Sequence, residues 1–251
     1  MTALPADEQI WLHDDQEEDL VGTDWHQRAI DCLFDALQDV AEAAELPWHV
    51  GNQHALVARM RDGRFWRPCP DIMVHPQAGG EPREEMVVAK EGPPALVIEV
   101  ISPTTWHYDV DDTQGKAAGY LAMGVSEYLL FDPLEAYLGA PCRGWRQSGG
   151  SVAAWLPDAD GRYVSAALGV AFRPEGVFLR TYDPAGSRVP TREERRQEIA
   201  RLLEEHQLLR EERQLLRDAY QLIREEHELQ SRQIADLRAE IERLRGSIEG
   251  R

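Results

Sequence analysis

Cysteine, lysine and long apolar runs are all scarce in this sequence of 251 residues. The three cysteines are scattered and odd in number, which argues against a disulfide framework or a zinc site and favours a reducing compartment. No apolar run approaches the roughly 20 residues of a membrane-spanning helix, and the N-terminus lacks the basic and apolar regions of a signal peptide. We therefore expect a cytoplasmic protein that does not enter a membrane.

Basic residues are outnumbered by acidic ones, and the formal net charge is −18. Residues 191–251 carry 13 arginines and 15 acids, so nearly all the excess negative charge lies in residues 1–190. Such a surface disfavours broad affinity for a phosphate backbone, which depends on Lys and Arg. Only two lysines occur, Lys90 and Lys116, which weakly indicates positions where a compact ammonium is needed.

An acidic segment and a helix open the chain. Residues 1–22 are acidic and polar, which predicts a poorly ordered start. Apolar residues then recur at three- and four-residue steps, which predicts an amphipathic helix of about five turns. We expect this helix to begin at Thr23 or Asp24, a plausible N-cap, and to end near Pro47. His26 falls in its first turn.

The next part of the chain predicts an α/β domain. The predicted elements are strands at 48–60 and 64–75, a loop at 76–93, a strand at 95–101, a helix from Asp109 to Gly124, a strand at 127–132, and short strands near 143–147, 151–156, 162–165 and 169–180. The Asp-Gly pair in the turn 61–63 favours a hairpin between the first two strands. The later strand–helix–strand order favours parallel pairing through a crossover helix, and the last short strands predict an antiparallel extension.

The stretch from Pro94 to Pro103 is apolar, rich in β-branched residues and too short for a typical helix, which predicts a buried strand. Its middle carries one carboxylate, Glu99. A buried carboxylate without a partner is costly, so Glu99 needs a cation. One candidate partner is an arginine such as Arg59 or Arg67.

A bound metal is the other candidate. Pro70-Asp71 begins one predicted strand, Glu99 lies in the next, and Lys116 lies on the following helix. Two carboxylates on adjacent strands, with carbonyls and water, suit magnesium or manganese. The plainer alternatives are that Asp71 is a turn acid after Pro70 and that Lys116 is a solvent-facing helix lysine.

The last sixty residues change character after a linker at 184–192. A heptad pattern holds without a break through 193–249, which predicts a long coiled-coil helix. Its a positions are Ile199, His206, Arg213, Tyr220, His227, Ile234, Ile241 and Ile248, and its d positions are Leu202, Leu209, Leu216, Ile223, Gln230, Leu237 and Leu244. Ile at a with Leu at d in the last heptads favours a parallel homodimer, while extra leucines in the first half leave a higher-order bundle open.

The central motifs resemble those of the Uma2-type restriction endonucleases, within the PD-(D/E)XK nuclease-like superfamily. The matching residues are Pro70-Asp71-Ile72, the run from Val97 to Thr105, Asp109, Lys116, Tyr120, and the run from Gly124 to Pro133. The resemblance covers roughly residues 23–180. It implies a restriction-endonuclease-like mixed sheet flanked by helices at 23–183, within an α/β fold class, before the coiled coil.

The resemblance also implies site residues. Asp71, Glu99 and the backbone carbonyl of Val100 would hold Mg²⁺ or Mn²⁺, and the superfamily pattern places a lysine where this chain has Ile101. The Uma2-type pattern is similar to this chain in supplying the lysine from the next helix, at Lys116. The implied reaction is metal-assisted hydrolysis of a phosphodiester bond.

Two further residues match the family pattern more loosely. Asp109 is implied as a catalytic residue that orients Lys116 or lies in the metal's outer shell, although it also suits an ordinary helix N-terminal acid. His26 matches a polar residue of the family's first helix, where some related nucleases place a metal or water contact.

Three hypotheses remain open at this stage. The first is a magnesium-dependent endonuclease acting on nucleic acid, DNA in preference to RNA, that dimerises through its coiled coil and so brings two sites together. The second is a nuclease-fold protein without catalysis that works through the coiled coil, which Ile101 and the acidic surface favour. The third is an enzyme acting on another phosphate ester or on a nucleotide.

Overall fold

A computed structural model describes residues 11–12, 24–79, 83–103, 106–110 and 115–249. The chain divides into two units, Met1–Arg192 and Glu193–Arg251. In chain order the elements are β1 (Trp11–Leu12), α1 (Asp24–Ala43), β2 (His49–Asn52), β3 (Leu56–Arg59), β4 (Phe65–Trp66), β5 (Ile72–His75), β6 (Met86–Val87), α2 (Val88–Glu91), β7 (Leu96–Val100), α3 (Trp106–Asp109), α4 (Lys116–Met123), β8 (Glu127–Phe131), β9 (Cys142–Ser148), β10 (Ser151–Trp155), β11 (Tyr163–Val164), β12 (Ala171–Glu175), β13 (Phe178–Tyr182) and α5 (Arg192–Glu249).

A six-stranded sheet in the order β10-β9-β8-β7-β5-β2 forms the centre of the first unit. Strands β7 and β8 are parallel, with Leu96 opposite Glu127 and Val100 opposite Phe131. The other neighbours in this sheet are antiparallel. Every residue of β7 and β8 is buried, as their nearly continuous apolar sequences require. The predicted α/β class with a mixed sheet is therefore confirmed.

Helices cover both faces of this sheet. Because apolar residues recur at three- and four-residue steps along α1, they form one face of the helix. Ile30 and Leu33 on this face lie in one core with Ile98 of β7. On the opposite face, α4 packs Ala117 and Tyr120 in a second core with β7 and β8. Each fully buried aliphatic side chain contributes about 1.5–3 kcal/mol, so the two helices hold the central strands firmly.

Two small sheets complete the first unit. One has the strand order β1-β4-β3-β6 and the other β11-β12-β13. Strands β3 and β4 form the hairpin that the Asp-Gly turn predicts, with Arg59 opposite Phe65. Gly63 has φ of +87°, a conformation that glycine adopts without strain.

The strands predicted at 48–60 and 64–75 are each divided between two sheets, although the regular part expected at 71–75 of the second corresponds to β5. The first is interrupted at Gln53, which has φ of +47° and redirects the chain from β2 to β3. The second is interrupted before Asp71 by Pro68 and Pro70, which cannot donate to a strand ladder. The predicted loop at 76–93 is also partly wrong, because β6 and α2 lie within it.

The helix predicted from Asp109 to Gly124 is two separate helices. Asp109 ends α3, and Lys116 begins α4 after Gly115. Residues 111–114 of the predicted helix lie outside the described residues. The C-terminal end is as predicted, because Gly124 has φ of +108° and donates its N–H to the carbonyls of Tyr120 and Leu121.

The second unit is the 58-residue helix α5. Its apolar side chains are exposed, as the values of 57% for Ile199, 65% for Leu216 and 53% for Ile241 illustrate. None of the described helices is long and apolar enough to span a membrane. The acidic segment 1–22 falls outside the described residues except for β1.

Candidate active site

Two carboxylates meet where β7 ends and β5 begins. Because β5 and β7 are antiparallel with Ile72 opposite Ile98, Asp71 lies beside Glu99. The N–H of Asp71 donates to Oε2 of Glu99 at 3.4 Å, and the N–H of Val100 donates to Oδ2 of Asp71 at 2.8 Å. These crossed contacts tie each carboxylate to the backbone of the other strand. The antiparallel register of the sheet therefore fixes the spacing of the pair.

Glu99 is 3% exposed, and two side chains from α4 contact the same oxygen. The hydroxyl of Tyr120 donates to Oε1 at 2.8 Å, and Nζ of Lys116 lies 3.8 Å from it. The buried carboxylate of Glu99 is therefore accompanied by a hydroxyl and an ammonium, both from α4. The structure does not bear out the arginine alternative, since Arg67 pairs with Glu85 and Arg59 lies against Phe65.

Lys116 is buried at 9% exposure and not solvent-facing. Besides Glu99, its Nζ lies 3.4 Å from Oδ1 of Asp109, which is 2% exposed. As the first residue of α4, Lys116 stands at the positive end of the helix dipole, where a cation is disfavoured by about 0.3–1 kcal/mol. The two carboxylates outweigh this cost, so they set the position of the ammonium.

Tyr120 is placed by packing as well as by its hydrogen bond. Its ring contacts Trp66 at 4.8 Å between centroids and stacks on Tyr128 at 5.5 Å. The Trp66 ring also fills the space beside Gly119, where a Cβ atom would approach it to 2.6 Å. Gly119 therefore lets α4 lie close enough for the Tyr120 hydroxyl to reach Glu99. This role of Tyr120 was missed in the sequence, although the spacing of four residues from Lys116 puts both side chains on one helix face.

His26 reaches the same place from α1 on the other face of the sheet. Its Nε2 lies 2.8 Å from the carbonyl oxygen of Val100 and 3.6 Å from Oδ2 of Asp71. Burial lowers the pKa of His26, but the hydrogen bond and negative charge of Asp71, with smaller contributions from Val100 and Asp109, outweigh it and raise the pKa above its usual value. Its Nδ1 is buried without a hydrogen-bond partner in the described part of the chain.

Among the described residues, the cluster formed by Asp71, Glu99, Asp109, Lys116 and His26 carries more negative than positive groups. Asp71, Glu99 and Asp109 supply three carboxylates, against Lys116 and a His26 that is cationic only when protonated. Carboxylates and a backbone carbonyl are the oxygen donors that Mg²⁺ and Mn²⁺ prefer, so this donor set fits a divalent cation. Within the described ranges, no three side chains among His, Cys, Asp and Glu are grouped to hold a metal. Such a cation would therefore also depend on the Val100 carbonyl and on water.

A family model described as "Uma2: Putative restriction endonuclease" matches residues 3–175. The chain belongs to the Uma2 family. The match includes Asp71, Glu99, Asp109 and Lys116 and ends before α5. It thus confirms the family suggested by the motifs around Asp71 and Glu99.

Other comparisons add little to the family assignment. A solved structure titled as a putative nuclease belonging to DUF820, from Anabaena variabilis ATCC 29413, is 18% identical with a TM-score of 0.38, covering 56% of this chain and 72% of that one. Among curated proteins, no match is found.

Proposed function

We propose that this Uma2 protein is a magnesium- or manganese-dependent endonuclease that hydrolyses phosphodiester bonds of nucleic acid, DNA in preference to RNA. The observation that carries the proposal is the network of Asp71 with the buried Glu99 and Lys116 at the end of β7, where the described side chains include more carboxylates than cations. Family membership supports the same reaction class.

Each residue has a role in this proposal. Asp71, Glu99 and the Val100 carbonyl would hold the cation, which when bound polarises a phosphoryl oxygen and lowers the pKa of water. Lys116 directs its ammonium at the attacking water or at the charge that develops on phosphate. Asp109 holds Lys116 in position through its contact at 3.4 Å.

The residue at position 101, where the superfamily pattern has a lysine, supports the role proposed for Lys116. Ile101 is completely buried in the core beneath α4, where it cannot act on a substrate. Nζ of Lys116 instead reaches Oε1 of Glu99 at 3.8 Å. The lysine on α4 therefore takes over the function that position 101 lacks.

The excess of acidic residues in the first unit lowers the expected affinity for nucleic acid. Four arginines precede Asp71, and all are exposed: Arg59, Arg61, Arg64 and Arg67. Arg64 pairs with Asp62 and Arg67 with Glu85, so part of this positive charge is already compensated. We expect weak non-specific binding of nucleic acid, with productive binding dependent on the divalent cation.

The exposed helix α5 supports pairing of two copies. Its e positions carry Arg210, Arg217 and Arg224, and its g positions carry Glu205 and Glu212. This arrangement places opposite charges beside each other in a parallel homodimer, and the exposed a and d side chains would be covered in its seam. We propose that α5 forms this dimer, which contains two candidate active sites.

Calorimetry with Mg²⁺ and Mn²⁺, combined with nicking of supercoiled DNA, tests the nuclease proposal. Wild type should bind the cation and nick DNA only in its presence, and Glu99→Gln should lose both by at least about 100-fold, as loss of a metal ligand implies. Glu84→Gln is the matched control, because Glu84 is exposed and outside the cluster.

Two other outcomes would change the proposal. Metal binding that requires Glu99 without nicking would favour another phosphate ester as substrate. No metal binding by wild type at millimolar concentration would overturn the enzyme and leave an interaction protein working through α5, which Ile101 and the acidic body already favour.

A further inference from the structure

A tryptophan and a tyrosine stack beside the candidate active site. The rings of Trp106 and Tyr137 are 5.5 Å apart between centroids and 19° from parallel. Trp106 is 40% exposed although it is large and apolar. Exposed aromatic rings held in place on a protein surface are suited to stacking against a ligand ring.

Both rings are anchored to the end of the parallel strand pair. The N–H of Trp106 donates to the carbonyl of Ser102, two residues after β7, at 3.2 Å. Tyr137 follows β8, whose Phe131 carbonyl accepts the N–H of Ile101 at 2.8 Å. The carboxyl ends of parallel strands are where α/β proteins commonly place ligands, so the position is favourable for binding.

The loop that carries Tyr137 is held by one buried carboxylate. Asp132 is completely buried and accepts the N–H of Tyr137 at 2.7 Å and that of Leu138 at 2.9 Å. It also accepts the N–H of Leu134 at 3.3 Å. Because the loop is fixed before any ligand arrives, stacking on it costs little ordering entropy.

The distance to the charged cluster is short. Trp106 and Asp109 are the first and last residues of α3, and residues three apart on a helix have Cβ atoms about 5–6 Å apart. Asp109 in turn contacts Lys116 at 3.4 Å. The stacked pair therefore lies within one nucleotide's reach of the proposed reaction.

We infer that Trp106, supported by Tyr137, is a stacking platform for an unpaired nucleobase next to the phosphate that is cut. This inference rests on the proposed function and specifies its substrate as single-stranded or locally unpaired nucleic acid. A paired base within a duplex hides its face in the stack, whereas an unpaired base of any sequence presents one. Stacking also needs no positive charge, which suits a body that holds so many acids.

Anisotropy with a short fluorescein-labelled single strand of DNA and its matched duplex, each with EDTA and with Mg²⁺, tests the inference on the full chain. Wild type should prefer the single strand, and Trp106→Ala should weaken that binding roughly 10- to 100-fold. Trp106→Phe should restore most of it. Leu134→Ala is the control, since Leu134 is exposed in the same loop but has no ring.

Several results would overturn the platform. One is that Trp106→Ala binds the single strand as tightly as wild type does. Another is that Trp106→Ala and Leu134→Ala lose the same affinity, and a third is that wild type binds single strand and duplex equally well. If metal-dependent nicking persists with unchanged KM in Trp106→Ala, the platform is wrong while the nuclease proposal stands. If wild type binds no nucleic acid and cuts none, both fail. Thermal unfolding of each variant verifies that the fold is intact.

Discussion

Among the described residues, the two units of this protein differ in which side chains are in excess: carboxylates at the candidate site of the first unit and exposed apolar side chains in α5. In the first, the apolar side chains of the central strands are covered, but a buried site holds more carboxylates than cations. In α5, charged side chains find partners along the helix, as Arg224 does with Glu228, but leucines and isoleucines are exposed throughout. The first unit therefore offers oxygen donors that suit a cation, and α5 offers an apolar surface that a second apolar surface would cover.

The largest expected effect comes from breaking the apolar seam of α5. Ile234→Glu with Ile241→Glu would remove four isoleucines from a homodimer, each worth about 1.5–3 kcal/mol, and place like charges opposite each other. We expect dissociation to monomers by analytical ultracentrifugation.

A matched pair of substitutions identifies the seam. Leu215 and Leu222 are exposed, like the isoleucines, but they occupy c positions, which face outward in a dimer paired through a and d. Leu215→Glu with Leu222→Glu should leave the dimer intact. If instead this pair dissociates the protein and the isoleucine pair does not, the predicted heptad frame is wrong.

Removing the buried ammonium should have the next largest effect. Lys116→Met removes the ammonium that contacts Glu99 and Asp109, and breaking a buried ion pair costs about 3–5 kcal/mol. Arg224→Met removes one side of an exposed pair on α5, which is worth less than about 0.5 kcal/mol.

Tryptophan fluorescence during urea unfolding separates these cases, because all seven tryptophans lie in the first unit. The urea concentration at the midpoint of unfolding should fall strongly for Lys116→Met and hardly at all for Arg224→Met. Added Mg²⁺ should recover part of the loss if the carboxylates hold a cation. Equal midpoints for the two variants would show that the burial of Lys116 has no energetic consequence.

The strands of the site were predictable, whereas most of its contacts were not. The apolar run around Glu99 predicts a buried strand because few other elements accommodate so many β-branched residues. His26 contacts Val100 across 74 residues of sequence, a contact that only the packing of α1 on the sheet creates. The interruption between Asp109 and Lys116 was hidden too, because both residues suit a continuous helix.

Loss of one hydroxyl should have a moderate effect within the first unit. Tyr120→Phe removes the donor to Oε1 of Glu99, and a hydrogen bond to a charged group is worth about 1.5–3 kcal/mol. Unfolding in urea should show this loss, and Mg²⁺ affinity should change because Glu99 is less firmly oriented. Tyr220→Phe on α5 is the control, since Tyr220 is 71% exposed. Equal stability of the two variants would show that the Tyr120 hydroxyl does not stabilise the site.

The smallest expected effect is a pH dependence that burial creates in the first unit. Burial, followed by the nearby charges of Arg83 and His54, lowers the pKa of His49 to about 4. The unfolded chain therefore binds this proton first as pH falls, so the folded state loses stability between about pH 6.5 and pH 4. From pH 7 to pH 5, His49→Gln should lose about 1–2 kcal/mol less unfolding free energy than wild type, measured in urea by tryptophan fluorescence. His206→Gln on the exposed helix should follow the wild-type curve, and a wild-type curve from His49→Gln would show that His49 titrates as freely in the fold as in the unfolded chain.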